Sequence, residues 1–352
     1  FGKVGGQHWN YNAGFKWVSP ELELNDIGFL RKADEITQFV NLKYRTIKPV
    51  GVLRNLSIQM GQFSKFDFEG NYNRLQYELN TDIRFVNNWT LDLGFAYKPR
   101  NYLNTALRGG PRWRISKNGY QYLFINSDKR KKLYGKIGVV STQSKENQFS
   151  YLKIETELNY QPTNAINISI APEYSSQPSK TQYITQASYN GGTRYVMGTI
   201  DNQTFQASIR LNYTLNPNLS IQYYGQPFVS RGVYTDLKYV TNATANSLKD
   251  RYQDYSSEQV SLSQGVYSID DNNDGAVDYS FDTPNFSQVQ FNSNLVLRWE
   301  YVPGSELFLV WSQGVSSSLS SSSGLFEDLE TGILDQRPQN IFLLKATYRF
   351  VL

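Results

Sequence analysis

The chain has 352 residues, 26 of them Tyr and 20 Phe, with two Met, no Cys, a formal charge of +4 and a mean hydropathy of −0.51. The absence of Cys and the single histidine, His8, argue against disulfide frameworks, zinc chemistry and a Ser/His/Asp relay. The small charge, with no dense Lys/Arg patch between stacking aromatics, argues against nucleic acid as a partner.

No run reaches the roughly 18 apolar residues of a spanning helix. Aromatics mixed with Asn, Ser and Gln instead suit strands with one apolar and one wet face, which escape hydropathy scans because only alternate residues are apolar. The chain opens at Phe1-Gly2-Lys3-Val4 without initiator Met or signal peptide, and the expectation is a mature, trimmed or partial chain.

In chain order, period-two alternation first shows clearly where Leu75, Tyr77, Leu79, Ile83 and Phe85 oppose Gln76, Glu78, Asn80, Asp82 and Arg84. It recurs with Leu152, Ile154, Leu158 and Tyr160 against Lys153, Glu155, Glu157 and Asn159. From Thr204 to Leu215 it sets Phe205, Ala207, Ile209, Leu211, Tyr213 and Leu215 against Gln206, Ser208, Arg210, Asn212 and Thr214. Near the C-terminus Phe291, Leu295, Leu297, Trp299 and Tyr301 oppose Asn292, Asn294, Arg298 and Glu300. A last strand places Leu344, Ala346, Tyr348, Phe350 and Leu352 on one side.

Tight connections are predicted at Lys48-Pro49-Val50-Gly51, Asn87-Asn88, Asp128 to Lys132, Gln161-Pro162-Thr163-Asn164, Asn216-Pro217-Asn218 and Val302-Pro303-Gly304-Ser305. They alternate with longer segments near residues 19–35, 67–73, 98–119, 143–148, 175–203, 226–286 and 319–339. Short turns on one side and long loops on the other are the pattern of bacterial outer-membrane barrels. The predicted fold is therefore all-β: a single domain, residues 1–352, forming an antiparallel transmembrane β-barrel of about fourteen strands with both termini periplasmic. Segment 226–286 is expected to form an extracellular cap. A soluble sandwich or propeller is the alternative, less apt because sandwich strands are shorter, about 5–6 residues.

Interfacial aromatics would form two girdles, since Trp and Tyr favour the membrane–water boundary. Trp89, Tyr160, Trp299 and Tyr301, with Phe350 in the final strand, fall near the short turns; Trp17, Tyr97, Tyr174 and Trp311 fall near the long loops.

Three stretches carry a family resemblance: Asn25-Asp26-Ile27-Gly28-Phe29-Leu30-Arg31-Lys32-Ala33-Asp34; Arg108-Gly109-Gly110-Pro111; and Ser293-Asn294-Leu295-Val296-Leu297-Arg298-Trp299-Glu300-Tyr301 followed by Phe308-Leu309-Val310-Trp311-Ser312. Together they resemble an uncharacterised outer-membrane family, a domain-of-unknown-function family, whose longer members carry a carbohydrate-binding family-nine-like module before a C-terminal barrel. The resemblance implies a location and a fold rather than a reaction. It also implies a longer native protein with an upstream module, and strands before Phe1.

For function, the wet face stands out. Lys16, Lys43, Arg45, Arg298, Lys345 and Arg349 come from strands near the chain ends, and Glu78, Asp82, Asp92, Glu155, Glu157 and Glu173 from the middle, with Arg210 among them. Closure would set up a transverse field across a lumen, which either orients polar solutes in an open pore or pairs up inside a filled one.

In the longest loop, Asp270, Asn272 and Asp274 followed by Gly275 occupy positions 1, 3 and 5 of an EF-hand-like calcium loop, with the Ala276 carbonyl and Asp278 at positions 7 and 9. Phe281 replaces the bidentate Glu, and an ordinary polar turn explains the same residues. No other cofactor is expected. The basic Asp128–Lys132 turn reads as solvated, Arg108-Gly109-Gly110-Pro111 as a folded-in loop, and the run Ser316 to Ser323 as a flexible tip. Glu155 and Glu157 share a face, but every strand of this kind yields such pairs, so they are not read as glycosidase carboxylates.

The expectation is a non-enzymatic outer-membrane barrel, either a narrow or plugged channel or the membrane-embedded subunit of a larger envelope assembly. The alternatives are a general porin, or a surface protein binding carbohydrate through the upstream module. Its partners would be outer-membrane lipids, other outer-membrane or periplasmic proteins and, if open, small polar solutes.

Overall fold

In the computed structural model, which describes residues 2–24, 30, 32–319 and 323–350, most of the chain is strand. A short β1 (Gly2–Gly5) pairs with β2 (Trp9–Val18), and the chain meanders through β3 (Glu35–Arg45), β4 (Leu53–Phe66), β5 (Tyr72–Phe85) and β6 (Thr90–Leu103). β7 (Trp113–Ile115) pairs with the far end of β6, while β8 (Asn118–Asn126) takes the next place in the sheet. β9 (Leu133–Ser144), β10 (Ser150–Thr163) and β11 (Ile166–Ser176) follow. β12 (Ser179–Tyr189) folds back on the first half of β13 (Gly192–Asn216), whose second half pairs with β11.

Next come β14 (Leu219–Val240), the side strand β15 (Tyr252–Asp254) and a separate three-stranded sheet of β16 (Val260–Ser263), β17 (Val266–Ile269) and β18 (Tyr279–Asp282). β19 (Phe286–Val302) pairs with β14, then β20 (Ser305–Leu319) with β19. Helix α1 (Leu325–Leu334) precedes β21 (Gln339–Ala346), which pairs with β20.

The main sheet holds 18 strands. Setting aside β7, β12 and β15, which pair with the loop-side ends of β6, β13 and β14, one antiparallel meander runs through the described residues from β1 to β21. From β2 onward it has the expected fourteen strands, and β1 adds one more. Among the described residues no pairing joins β1 to β21, so the sheet is not seen to close on itself.

The short connections form where turn chemistry dictates. Gly51, Asn88 and Gly304 take positive φ (57°, 65° and 79°), a region that Gly and Asn tolerate best. The Asn87 and Asn216 side chains accept the backbone N–H two residues on, from Trp89 (3.1 Å) and Asn218 (2.9 Å), as Asx-turns do.

Register turns the alternation into faces, because directly opposed residues point the same way. One row runs Ile58, Thr81, Leu93, Leu123, Val139, Ile154, Tyr174, Phe205, Val229, Val289 across ten neighbouring strands. Much of this apolar face is bare: Phe15 is 65% exposed, Met60 57% and Leu158 53%. Among the described residues no second sheet covers it, which separates the architecture from a sandwich, whose two sheets bury their apolar faces against each other. Among the described helices and strands outside the sheet, α1 packs there. Leu325, Leu329 and Ile333 lie over Tyr174, Phe205, Val229 and Val289, and Gly332 comes so close that an added Cβ would meet the Val289 side chain at 2.7 Å.

Several expectations need correction. Segments 98–119, 175–203 and 226–286 are not loops throughout: β6 continues to Leu103, β12 and β13 form a hairpin, and β14 continues to Val240. These extensions mix apolar and polar residues on both faces, as with the adjacent buried Val196 and Met197, so they lack alternation although their backbones pair. Segment 319–339 contains α1, and Ser316–Ser318 lie within β20, with Ser317 Oγ donating to the Gly332 carbonyl (3.3 Å). The last strand ends at Ala346, not beyond Phe350. Gly2 lies opposite Ala13, midway along β2, and Ala346 of β21 lies opposite Leu307 of β20. Residues 25–29 and 31 of the first family stretch, Phe1, 320–322 of the serine run, and Leu352 lie outside the described residues.

Candidate functional site

The face opposite the apolar row carries the charge. In one row Arg45 opposes Ser57, Ser57 opposes Asp82, and Asp82 opposes Asp92; farther along, Glu155 opposes both Gly138 and Glu173. Lys43, Glu78, Glu157, Arg210, Arg298 and Lys345 fall in parallel rows on this face, and Lys16 joins through Thr37 and Lys65 to Arg74. Arg349 departs from the expectation: it follows β21, its backbone N–H donates to Ser305 Oγ (3.0 Å), and its side chain packs over Gly304.

Two of the carboxylates in the middle of the sheet, Glu155 and Glu173, are met by cations. Lys136 pairs with Glu155, and Lys153 Nζ lies 2.5 Å from Glu155 and 3.3 Å from Glu173. Arg298 is shared between Glu306 and Glu300, and Lys65 Nζ lies 2.5 Å from Glu35. Lys136, Glu306 and Glu35 escaped the sequence reading because each is significant only through a partner on the neighbouring strand. Near the turn end, by contrast, Lys43, Arg45, Lys48 and Arg84 line a cavity of about 1090 Å³ together with Asp82 and Asp92.

The long loops at the other end pack on one another. Leu107, Trp113, Met197 and Ala243 form a buried cluster drawn from the β6–β7 loop, the β12–β13 hairpin and the segment after β14. Arg108-Gly109-Gly110-Pro111 is indeed folded in, with Gly110 against the Tyr195 ring. Arg251, 1% exposed, donates to the carbonyls of Ala245 (2.9 Å), Asn246 (2.9 Å) and Arg114 (3.1 Å) and to Ser116 Oγ (3.1 Å). Burial lowers its pKa, with the Glu146 charge acting in the opposite sense. The Glu146 carboxylate accepts the Leu248 N–H (2.9 Å) and the Ser116 hydroxyl (3.3 Å). Burial alone would raise its pKa, but these bonds and the Arg251 and Lys145 charges hold it below the usual glutamate value.

The Asp/Asn loop is a self-satisfied turn. Asp270 accepts the N–H groups of Asp274 (3.0 Å) and Gly275 (2.7 Å), Asp274 accepts from Ala276 N–H (2.9 Å), and Asn272 Nδ2 donates to Asp274 (2.9 Å). Asp270, Asn272, Asp274, the Ala276 carbonyl and Asp278 are the donors a cation would meet there. Among the described residues no group of three His, Cys, Asp or Glu side chains is gathered to hold a metal. The residue the motif passes over is Asp271, which turns inward onto Arg194, Tyr255 and Tyr279 while Asp278 Oδ2 accepts its N–H (2.7 Å).

Of the aromatics expected to form girdles, Trp17, Trp89, Tyr97, Tyr160, Trp299, Tyr301, Trp311 and Phe350 are exposed on the sheet or at its ends. Tyr174 is the exception, half-covered by α1. The basic turn is organised by Asp128, which accepts the Arg130 N–H (3.0 Å) and its guanidinium (2.8 Å). His8 Nδ1 lies 2.9 Å from the Arg45 carbonyl at a turn.

The profile of a family described as a domain of unknown function (DUF5916) matches residues 1–351. No curated protein matches the chain.

Proposed function

The chain belongs to the DUF5916 family of domains of unknown function, and from that footing we propose that it forms a non-enzymatic β-barrel of the Gram-negative outer membrane. Its apolar face meets lipid, and its ionic face lines a narrow interior covered at one end by packed loops. The observation that carries this reading is the apolar side of the sheet, on which Phe15, Met60, Leu123, Ile154 and Leu158 are 40–65% exposed while α1 covers Val229 and Val289, backed by a face bearing ion pairs. Bare apolar area on this scale is unfavourable in water and favourable against hydrocarbon. Alternating strands satisfy every backbone group in lipid only as a closed ring. The short turns then face the periplasm and the loop cluster faces outward.

The ion-paired Glu155 and Glu173 and a packed loop cap favour a narrow or plugged passage over a general porin. The non-enzymatic reading rests on His8 being engaged at a turn and on Glu155 being held between Lys136 and Lys153. Planar-bilayer recording with protein extracted in mild detergent tests it: small or rare conductance steps are expected, and large steady porin-like currents would contradict it. A second reading, a membrane-embedded subunit of a larger envelope assembly, is favoured by α1, which leaves Phe326 and Leu334 exposed (60% and 72%) on the outside of the sheet. Co-purification of stoichiometric partners, lost on Leu334→Asp, supports that role.

A further inference from the structure

Where the loop cap meets the ionic face lies a cleft of about 550 Å³ whose lining differs from that of the charged cavities around Lys136, Arg251 and Lys43. On one side it is bounded by Asn101, Leu103, Trp113 and Ile115 from β6 and β7, and on the other by Ile200, Asn202, Tyr234 and Phe286 from β13, β14 and β19. None of its lining residues carries a charge. Its volume is within the range of small-molecule sites, about 300–1,000 Å³.

The polar groups here are amides and hydroxyls with spare hydrogen-bonding capacity. Gln148 is committed, accepting the Ser116 N–H (2.6 Å) and donating to Thr181 Oγ1 (3.0 Å), and Asn202 donates to the Arg231 carbonyl (2.9 Å). The side-chain amides of Asn101, Gln177 and Gln182 and the hydroxyls of Tyr183 and Tyr234 make no hydrogen bond among the described residues. The Trp113 indole N–H is buried without an acceptor, an unusual state for a polar group in a folded interior. Aromatic rings of Trp113, Phe149, Tyr183, Tyr234 and Phe286 supply the apolar part of the wall.

We propose that this cleft is a binding site for a neutral saccharide of one to three rings. A sugar presents hydroxyls that both donate and accept, matching unpaired amides and phenols, and C–H faces that pack on aromatic rings. No lining residue offers a counter-charge to an anionic or cationic solute, the Arg108 guanidinium being engaged over the Tyr183 ring (5.1 Å), and desolvation without one disfavours a charged ligand. An aliphatic ligand would strand the amides unpaired. The site uses only the loop cap and the upper strands, so it stands independently of whether the interior conducts, and it is distinct from any upstream module.

Isothermal titration of the detergent-extracted protein with maltotriose, cellotriose, xylotriose and N-acetylglucosamine trimer tests it, with sialyllactose and spermine as charged probes. At least one neutral saccharide is expected to bind saturably, with both charged probes at least tenfold weaker. Gln182→Ala and Tyr234→Ala should each weaken binding at least tenfold, and Tyr234→Phe should keep part of it. Heat-modifiable gel migration of each variant reports that the fold is retained. Absence of binding by all four neutral saccharides to protein with normal migration would overturn the proposal, as would binding unchanged in both alanine variants. Either failure leaves the membrane reading standing, because that reading is judged by migration and not by ligand.

Discussion

Arg194, near the tip of the β12–β13 hairpin, clasps Asp271 of the segment between β17 and β18 in a two-pronged ion pair, with Nε 2.9 Å from Oδ2 and a terminal nitrogen on Oδ1. The residues lie 77 positions apart, and the Asp271 side chain is only 2% exposed. The Arg194 guanidinium also lies over the rings of Tyr239 (4.0 Å) and Tyr189 (4.8 Å). This contact joins the small three-stranded sheet to the main one. Removing one partner of a buried pair costs about 3–5 kcal/mol, because the other charge is left uncompensated. Asp271→Ala is therefore expected to free residues 255–282. Hydrogen exchange should rise in that segment while β8–β11 stay protected; equal protection in variant and parent would show that the pair holds nothing.

The same cluster predicts behaviour in alkali. Burial, and the Asp271 carboxylate they both donate to (3.1 and 2.9 Å), push the phenol pKa values of Tyr255 and Tyr279 up. Their contribution to stability is present below the unfolded value near 10 and is lost as pH rises past it toward the folded values. Phenolate absorbance should show two tyrosines that resist ionisation until the cap opens. In Asp271→Ala both should ionise at lower pH.

Glu146 supplies the acid counterpart. Its folded pKa is depressed, so its contribution is complete above the unfolded value of about 4.3 and fades as pH falls through the folded one. Acid should thus loosen the link between the short 3-10 turn at Lys145–Asn147 and Leu248. Protease nicking within 241–251 should increase below about pH 4. Glu146→Gln should show that nicking already at neutral pH, with a flatter pH dependence.

Belt positions discriminate lipid from water. Leu123→Arg and Ile154→Arg replace residues 43% and 40% exposed on the apolar face. In a bilayer midplane each should destabilise the protein by about 2–4 kcal/mol. In water an exposed apolar-to-charged change is close to neutral, usually within about 0.5 kcal/mol. Urea unfolding in lipid vesicles, compared between the variants and the parent, measures the difference.

Much of the sheet was legible in the sequence because its cause is local. Leu152, Ile154 and Leu158 alternate with Lys153, Glu155 and Glu157, and Asn216-Pro217-Asn218 and Pro303-Gly304 mark turns by their own stereochemistry. The β12–β13 hairpin was not legible, because polar and apolar residues fall on both of its faces, Gln182, Thr185 and Gln186 beside Tyr183 and Ile184 and Val196 next to Met197, so no alternation marks the strands. Helix α1 hid behind serines and is short, stabilised by packing on Val229 and Val289 rather than by its own propensity. Arg251, Asp271 and Trp113 gain their roles from partners far along the chain, and no local spacing reveals such partners. The Asp270–Asp278 motif drew attention to the exposed carboxylates, whereas the buried Asp271 beside them anchors the loop.

Gel migration of protein extracted from washed membranes, with and without boiling in dodecyl sulfate, tests the membrane barrel most directly. A barrel held by a closed hydrogen-bonded sheet should resist carbonate extraction and run faster unboiled than boiled. Release without detergent, together with the same migration before and after boiling, would contradict it.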